Sequence, residues 1–311
     1  MKSNDTVLVF VLFPALEKYI GEFLCSIDKQ TDKRFDVLYF DDGYEKSIVL
    51  SNEISVSKIT SSGSQLSPFE NRWKLILEAK RLGYKNLIFC DADDVMSCHR
   101  VSMSIETLTR TDIFVTDLDV FREQTIFRKN LFGSSSIDFN SIDIFSLLEG
   151  NFIGLTNSAF RLDCLNFDLS GYNAQVFDWL FFSLLVLNGS RVEFVSGDVN
   201  TLYRVSNDNM IGLGLPEDTA TLINMIDLKK KHFEMLLELL ASLSVSVVTV
   251  ESKIIEILID LDILRSEIKN DNDAFKRFSA LSERYVGSCY NGWWSNIKSI
   301  ENLERALNGN V

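Results

Sequence analysis

Proline, histidine and closely spaced cysteines are scarce in this chain of 311 residues. It contains 3 prolines, 2 histidines and 5 cysteines, and no C-x-x-C pair occurs. Because the cysteines are odd in number and scattered, they predict reduced thiols and not a disulfide framework. No apolar run reaches the roughly 18 residues of a membrane-spanning helix. We therefore expect a cytoplasmic protein, with peripheral contact at the inner face of the membrane left open.

Positive charge is also in short supply, since 31 lysines and arginines face 44 acidic residues and the net charge is −13. Such a surface repels phosphate backbones, so we expect no nucleic-acid partner. A local site can still be positive enough for a small phosphorylated ligand, and a bound divalent metal would add to that charge. Hydrophobic residues make up 46% of the chain, enough for one large domain and a small one.

Strand and helix signals alternate over the first hundred residues. Signals of β-strands occupy residues 7–13, 35–40, 54–59 and 86–90, and residues 7–13 form a continuous apolar run. Helical spacing at residues 16–27 and 73–82, and a short helix expected after Gly43, separate these runs. The alternation predicts an α/β fold with a mostly parallel sheet flanked by helices.

The later part of the chain differs in character. Residues 113–205 mix short strands with helices, and four helical patterns follow Pro216. We therefore predict a catalytic domain over residues 1–215 and a helical region over residues 216–311.

Three carboxylates, Asp91, Asp93 and Asp94, follow the fourth predicted strand. Neighbouring like charges raise one another's pKa unless a cation compensates them. Ligands bind at the carboxyl ends of parallel strands, and carboxylate oxygens there suit Mg²⁺ or Mn²⁺, which also bridge a diphosphate. Taken alone, the cluster is equally consistent with an acidic turn that caps the next helix.

Further acids stand at positions that suit ligand binding or proton transfer. Asp41 and Asp42 end the second strand, and we expect them to lie beside the first acidic cluster. A carboxylate there could accept a hydrogen bond from uracil or from a ribose hydroxyl. The alternative is an ordinary turn that an aspartate caps.

Asp178 is a lone acid in an apolar helical stretch. Burial raises its pKa and the first helical turn lowers it, as suits a general base. A cap that faces solvent is the alternative.

Two arginines complete the set of candidate residues. Arg204 lies between a predicted strand and a loop that contains Asn209, and its guanidinium can donate two hydrogen bonds to a phosphate. The alternative is an ordinary exposed loop with no ligand. Arg72 lies near the start of a helix, within reach of a pyrophosphate or an aspartate. His232 follows three lysines, and we expect it to be solvated.

Seven short motifs follow one another in a fixed order. They are Phe13-Pro14-Ala15, Ser26 to Gln30, Phe40 to Tyr44, Asn71-Arg72, Asp91 to Asp94, Phe177-Asp178, and Tyr203-Arg204 with Asn209. In this order they resemble the inverting GT-A glycosyltransferases of the family 2 type, over about residues 5–210. Tyr44 replaces the usual serine and Phe177 the usual glutamate, so the donor sugar stays open.

The resemblance implies a role for each motif. The residues it assigns to the nucleotide sugar are Pro14, Asp41, Asp42, Arg72, Asp91, Asp93, Asp94, Arg204 and Asn209. Among them, Asp93 would ligate the Mn²⁺ or Mg²⁺ ion and Arg204 would steady the leaving diphosphate. Asp178 would be the general base.

The resemblance also implies the reaction, which is transfer of a sugar from a UDP-linked donor to a hydroxyl of a glycan or lipid-linked glycan, with inversion. Bacterial surface-polysaccharide or glycoconjugate synthesis is the implied setting. The C-terminal helices would contact the acceptor, the membrane surface or a second copy in a homodimer. A non-catalytic nucleotide-binding or scaffold protein is the main alternative. A sugar nucleotidyltransferase is the other, but residues 13–17 contain neither the glycine nor the lysine that its first loop needs.

Overall fold

The computed structural model describes residues 2–60, 66–133, 138–205, 216–241, 247–271, 273–286 and 297–309. The strands are β1 (Thr6–Leu12), β2 (Phe35–Asp41), β3 (Val56–Thr60), β4 (Asn86–Phe89), β5 (Ile113–Thr116), β6 (Leu118–Arg122), β7 (Thr125–Arg128), β8 (Ser158–Arg161), β9 (Val192–Val195) and β10 (Thr201–Arg204). The α-helices are α1 (Ile20–Asp28), α2 (Pro68–Arg81), α3 (Arg100–Thr107), α4 (Ile144–Glu149), α5 (Phe177–Leu187), α6 (Thr219–Leu240), α7 (Val248–Asn270), α8 (Ala274–Val286) and α9 (Ile300–Leu307). Short 3-10 helices cover Pro14–Lys18 and Leu162–Cys164.

The central sheet has seven strands in the order β3-β2-β1-β4-β8-β5-β9. Strand β1 pairs in parallel with β2 and β4, and β2 with β3, so the predicted mostly parallel sheet is confirmed. Strand β8 runs antiparallel between β4 and β5. Only four residues long, it gave no distinct signal in the sequence.

Helix α2 places the amino end of one helix at the carboxyl edge of the sheet. It begins with a capping box between Ser67 and Glu70, with Pro68 in its first turn. The helix packs on β1 and β2 and leads into β4. In a β-α-β unit the helix runs against the strands, so the first turns of α2 face the strand ends where the acids stand.

The short helix predicted after Gly43 is wrong, since residues 42–55 form turns and irregular structure. The Asp41 carboxylate accepts hydrogen bonds from the backbone amides of Tyr44 at 2.8 Å and Glu45 at 3.1 Å. Glu45 also has a positive φ of 62°. A left-handed residue at this point interrupts helical geometry, so the side chain of Asp41 determines a turn instead.

A second sheet of three strands, in the order β10-β6-β7, adjoins the first. Strand β6 pairs in parallel with β10 and antiparallel with β7. A further bridge joins Val95 to Leu202 of β10. This bridge holds the segment that follows Asp94 against β10, and so brings Arg204 to the acidic cluster.

Two apolar clusters cover the two faces of the central sheet. The smaller contains residues of α1 and α3. The larger contains residues of α2, α4 and α5 and continues through α6, α7, α8 and α9. The predicted helical region is therefore present, and it shares its core with the sheet. Within the described ranges, no helix combines the length and apolarity needed to span a membrane.

Candidate functional site

Two consecutive residues of α2 connect the acids at the ends of β2 and β4. The Asn71 side-chain amide donates to Asp42 Oδ2 at 3.0 Å, and Arg72 Nη2 lies 3.8 Å from Asp91 Oδ1. We expected the two acidic clusters to be neighbours, but β1 lies between β2 and β4. The contact between them therefore runs through the first turns of α2.

The two aspartates after β2 differ in their surroundings. Asp41 is buried and accepts from Lys58 Nζ at 3.2 Å in addition to the two turn amides. Asp42 is only half buried, and its backbone amide donates to Leu12 of β1 at 2.7 Å. Asp41 therefore holds the shape of the turn, and Asp42 is the more accessible carboxylate.

The three acids after β4 also separate by burial. Asp94 is 2% exposed, and its Oδ1 accepts a hydrogen bond from the Arg204 backbone amide at 2.7 Å. Burial, and then the charge of Asp93, raises the pKa of Asp94 well above its usual value. Burial and the charge of Asp91 raise the pKa of Asp93 to about 6, against the pull of the nearby arginines. The pKa of Asp91 is also raised, because the carboxyl loses part of its hydration within the acidic turn although its side chain is 43% exposed, and the charge of Arg72 opposes this shift.

Arg204 is held firmly at the end of β10. Its side chain is 8% exposed, and its Nε donates to the Asp93 carbonyl at 2.6 Å. Its Nη2 pairs with the Glu22 carboxylate. The guanidinium carbon lies 4.6 Å from the Tyr19 ring centroid and 4.3 Å from that of Phe121. Arg204 therefore fixes the acidic turn through Asp93 and Asp94, while Arg72 contacts the turn at Asp91.

The remaining nucleotide-sugar candidates are Pro14 and Asn209. Pro14 is exposed and begins the 3-10 helix directly beyond β1, at the same edge of the sheet as the acids. Asn209 lies outside the described residues, as does the loop around it.

Asp178 stands in the first turn of α5, within electrostatic reach of the acidic cluster. Its Oδ1 accepts the Trp179 amide at 2.8 Å. Burial raises its pKa to about 6, while the Trp179 amide and the charge of Arg72 lower it. The charge of Asp91 raises this pKa and the Asn151 side chain lowers it. The structure therefore brings the candidate base and the Arg72–Asp91 pair into one site.

Sequence reasoning missed two residues that contribute to this site. Glu22, which pairs with Arg204, is one acid among several in α1, and its spacing gave no signal. Asn151 is buried beside Asp178, after the Gly150 that ends α4. A buried asparagine after a helix end is common, so the sequence did not distinguish it.

The expectation that His232 is solvated is wrong. It is 3% exposed and stacks on Trp179, with ring centroids 4.4 Å apart. Burial and then the charge of Lys229 lower its pKa to about 3. Lys229 and His232 fall on the apolar stripe of α6, with Ile226 and Phe233, and that stripe faces the core.

The acids after β4 suit a divalent cation that shares its ligands with a phosphate. Burial raises the pKa values of Asp91, Asp93, Asp94 and Asp178, and among the described residues the nearby cationic side chains that oppose these shifts are Arg72 and Arg204. In the described ranges no three His, Cys, Asp or Glu side chains are grouped to bind an ion by themselves. Mg²⁺ commonly takes one or two carboxylates and completes its shell with phosphate oxygens and water, and this donor set fits that arrangement.

Comparison with solved structures places the chain beside S. aureus TarS, a GT-A-type glycosyltransferase. TarS 1-349 in complex with UDP-GlcNAc superposes with a TM-score of 0.58 and 13% identity, over 91% of this chain and 81% of that chain. TarS 1-349 with UDP gives a TM-score of 0.52 and 16% identity, over 90% and 75%. The GT-A fold is confirmed.

The similarity to TarS is limited in two ways. Against a longer TarS structure, with a TM-score of 0.54 and 13% identity, the match spans 87% of this chain but only 45% of the TarS chain. No protein-family model matches the sequence, and no curated protein matches it significantly. At 13–16% identity the comparison shows the fold, and the chemistry has to be argued from the site.

Proposed function

We propose that this protein is a glycosyltransferase that moves a sugar from a UDP-linked donor to an acceptor hydroxyl with inversion. The observation that carries the proposal is the position of Asp178, whose pKa is raised to about 6 and responds to Arg72 and Asp91. A proton acceptor beside a charged pair at the carboxyl edge of an α/β sheet suits transfer to a hydroxyl. The shared fold with TarS, which has been solved with UDP-GlcNAc and with UDP, supports the choice of donor.

The donor would lie across the ends of β1, β2 and β4. We assign uracil and ribose to Pro14 and Asp42, within the turn that Asp41 shapes. Arg72 and Asp91 would contact the nucleotide. Arg72 lies 3.8 Å from Asp91, and Arg204 donates to the carbonyl of Asp93, so both would add positive charge near the place where a diphosphate would lie.

Asp93, with Asp91 and Asp94 nearby, would hold Mn²⁺ or Mg²⁺ together with the donor diphosphate. When bound, such an ion supplies positive charge that stabilises the departing diphosphate. Arg204 keeps Asp93 in place through the carbonyl of that residue.

Asp178 would perform the proton transfer. Its ionised carboxylate takes the proton of the acceptor hydroxyl while the hydroxyl oxygen bonds to the anomeric carbon. The bond from that carbon to the diphosphate oxygen breaks on the opposite face, so the configuration inverts. A pKa of about 6 leaves the group mainly ionised at pH 7 and still basic.

We place the reaction in bacterial surface-polysaccharide or glycoconjugate synthesis, on a glycan or lipid-linked glycan, at the cytoplasmic face of the membrane. The order of the sequence motifs supports this setting. We propose that the C-terminal helices contribute membrane or homodimer contacts.

Calorimetric titration with UDP, with and without Mn²⁺, tests the proposal. We expect the wild-type protein to bind UDP more tightly with Mn²⁺, and Asp93→Ala to lose the metal-dependent part. Asp163→Ala is the matched control, because Asp163 is an exposed acid at the opposite edge of the sheet. Absence of UDP binding under every metal condition would sink the proposal. Metal-dependent binding that survives in Asp93→Ala would refute the metal role of Asp93.

A further inference from the structure

The β6–β7 hairpin, residues 118–128, carries an exposed apolar tip. Every residue from Arg122 to Phe127 is exposed, and β7 is an edge strand. Phe127 is 58% exposed and Ile126 is 40% exposed. Large apolar side chains grouped on a protruding edge are typical of a surface that contacts a ligand or partner.

The hairpin extends directly from the candidate site. Arg204, Phe121 and Ile126 lie opposite one another on β10, β6 and β7. The Arg204 guanidinium carbon is 4.3 Å from the Phe121 ring, which places both on one face. Directly paired residues share a face, and strands lie about 4.8 Å apart. Ile126 therefore lies about 10 Å from the Arg204 strand, on the face that holds the acidic turn.

The backbone of the hairpin is irregular at one point. The register with β7 shifts between Val120 and Phe121, which leaves Phe127 as an extra residue in a bulge. Bulges re-aim side chains and are frequent next to active sites. The turn residues Glu123 and Gln124 have φ values of 46° and 69°, as the two-residue turn of a β-hairpin favours.

The base of the hairpin is fixed by polar contacts. Asp119 Oδ1 accepts from the Asn130 amide and from the Asn200 side chain, each at 2.9 Å. The same Asn200 nitrogen donates to Asn130 Oδ1 at 2.8 Å. These bonds join β6, the segment after β7 and the start of β10, so the hairpin is held in place before any ligand arrives.

Three cationic residues lie in or directly after the hairpin of this acidic protein. Arg122, Arg128 and Lys129 outnumber Asp119 and Glu123, which gives residues 118–129 a local charge of +1 in a chain whose net charge is −13. Neither Arg122 nor Lys129 forms an ion pair with a residue in the described ranges. Arginine and lysine beside an exposed aromatic ring suit a ligand with both an apolar face and negative charge.

We propose that the β6–β7 hairpin binds the acceptor and that the acceptor is an anionic saccharide. The inference rests on the proposed glycosyl transfer, because the hairpin begins where the donor would end. Phe127 and Ile126 would contact the C–H face of a sugar ring, and Arg122 and Lys129 would hold its carboxylate or phosphate groups. The acceptor contact thus lies in the second sheet and not in the C-terminal helices.

Fluorescence anisotropy with labelled oligosaccharides tests the assignment. The probes are an oligogalacturonide, a phosphorylated malto-oligosaccharide and a neutral malto-oligosaccharide of equal length. We expect one or both anionic probes to bind at least about tenfold more tightly than the neutral one, a difference of about 1.4 kcal/mol. Phe127→Ala, and the double variant Arg122→Gln with Lys129→Gln, should each weaken that binding by about fivefold or more. Their affinity for UDP should be unchanged.

Two matched controls lie on a distant surface. Ile263→Ala removes an exposed apolar side chain from α7, and Lys276→Gln removes an exposed lysine from α8; neither should change probe binding. Equal binding of neutral and anionic probes, or full binding by the hairpin variants, would overturn the assignment. Hairpin-dependent binding to phosphatidylserine vesicles without saccharide binding would also overturn it. If wild-type protein binds the anionic probe but not UDP, the proposed transfer fails while the hairpin result stands.

Discussion

Several aspartates at the two edges of the central sheet have pKa values that are shifted in opposite directions. At the carboxyl edge, burial raises the pKa of Asp93 and of Asp178 to about 6. At the amino edge, hydrogen bonds from basic side chains lower the pKa of Asp5, Asp32 and Asp163. The partners there are Lys85, Arg34 and Arg161, respectively. These three acids at the amino edge are thus compensated by basic side chains, while burial outweighs the nearby positive charge at Asp93 and Asp178.

The concave surfaces at the amino edge of the sheet make that edge the alternative location for a binding site. Two adjoining depressions of about 450 and 510 Å³ lie there, with Lys85, Asn86, Leu108 and Thr109 in both linings. Charged groups around these depressions already form ion pairs on the surface, and such exposed pairs contribute little to stability. Uncompensated, partly buried acids mark functional sites more reliably, so we place the chemistry at the carboxyl edge.

The largest effect should come from Asp178→Asn. An amide cannot accept the hydroxyl proton, so we expect transfer to fall by a factor of about 10²–10⁴. UDP affinity should remain within about twofold, because Asp178 makes no contact assigned to the nucleotide. Initial rates of transfer and calorimetric UDP titration measure the two quantities. An Asp178→Asn variant that still transfers sugar would refute the assignment of Asp178 as the general base. The carboxyl edge of the sheet would then no longer be distinguished from the amino edge by that role.

The pH profile of wild-type transfer tests the same residue. A base with a pKa of about 6 should be mainly protonated at pH 5, so the rate should rise through pH 6 and level off above pH 7. Because the folded-state pKa exceeds the unfolded value, ionisation between about pH 4 and 6 lowers stability. Asp178→Asn should therefore be more stable than wild type at pH 7.5, by on the order of 1–3 kcal/mol. Urea midpoints at pH 4.5 and 7.5 measure this difference.

Arg72→Gln should have the next largest effect. Arg72 lowers the pKa of both Asp91 and Asp178, so its loss should move the midpoint of the transfer profile to higher pH. We expect the shift to be about half a unit to one unit and UDP affinity to fall about tenfold. Arg72→Lys keeps the charge and should retain most of the wild-type midpoint. An unchanged midpoint in Arg72→Gln would show that Arg72 does not act on the base.

A smaller effect concerns the packing behind the carboxyl edge. His232→Ala removes a buried ring that stacks on Trp179, and we expect a loss of about 2–4 kcal/mol in unfolding free energy. His232→Phe keeps a ring and removes two nitrogens that lack hydrogen bonds within the described part of the chain, so it should be neutral or stabilising.

The pH dependence separates packing from charge at His232. Its folded-state pKa is about 3, below the ordinary value, so protonation favours the unfolded chain as the pH falls below about 6.5. The gain from His232→Phe should therefore be larger at pH 5 than at pH 8 in urea unfolding. A gain that is equal at both pH values would contradict burial of a neutral histidine.

The smallest effect should come from Asp163→Asn at the amino edge. The side chains of Asp163 and Arg161 are 63% and 36% exposed, and exposed pairs contribute little. We expect unfolding free energy to change by less than about 0.5 kcal/mol and transfer to stay the same. A loss of transfer comparable to that in Asp178→Asn would mean that the amino edge takes part in the chemistry.

Much of the fold was predictable because the signals are local. The run that became β1 is apolar without interruption over residues 7–13, and the run that became β2 contains one polar residue, Asp36, before four apolar ones, as is typical of strands buried on both faces. Strand β8 was not predictable, since four residues carry no period and its neighbours β4 and β5 are distant in sequence. The helix expected after Gly43 failed because one side chain, that of Asp41, redirected the backbone.

The candidate site was predictable in its residues but not in its contacts. The places of Asp91 and Asp178 could be predicted, because strand ends and first helical turns are local features. The partnership of Arg204 with Glu22 joins residues 182 positions apart, and no periodicity reports such a pair. The burial of His232 was readable from its spacing to Phe233 and Ile226 but was obscured by the adjacent lysines.

The sequence by itself determined which segments form strands and that acids stand at their carboxyl ends, since hydrophobic period and chain order are local properties. Only the tertiary structure decided that Asn71 and Arg72 join two separated strand ends, that Arg204 fixes the acidic turn, and that an exposed hairpin adjoins it. These arrangements depend on side chains brought together across the chain by packing. Packing also decides which acids are buried, and so which of them have the raised pKa values on which the proposed chemistry depends.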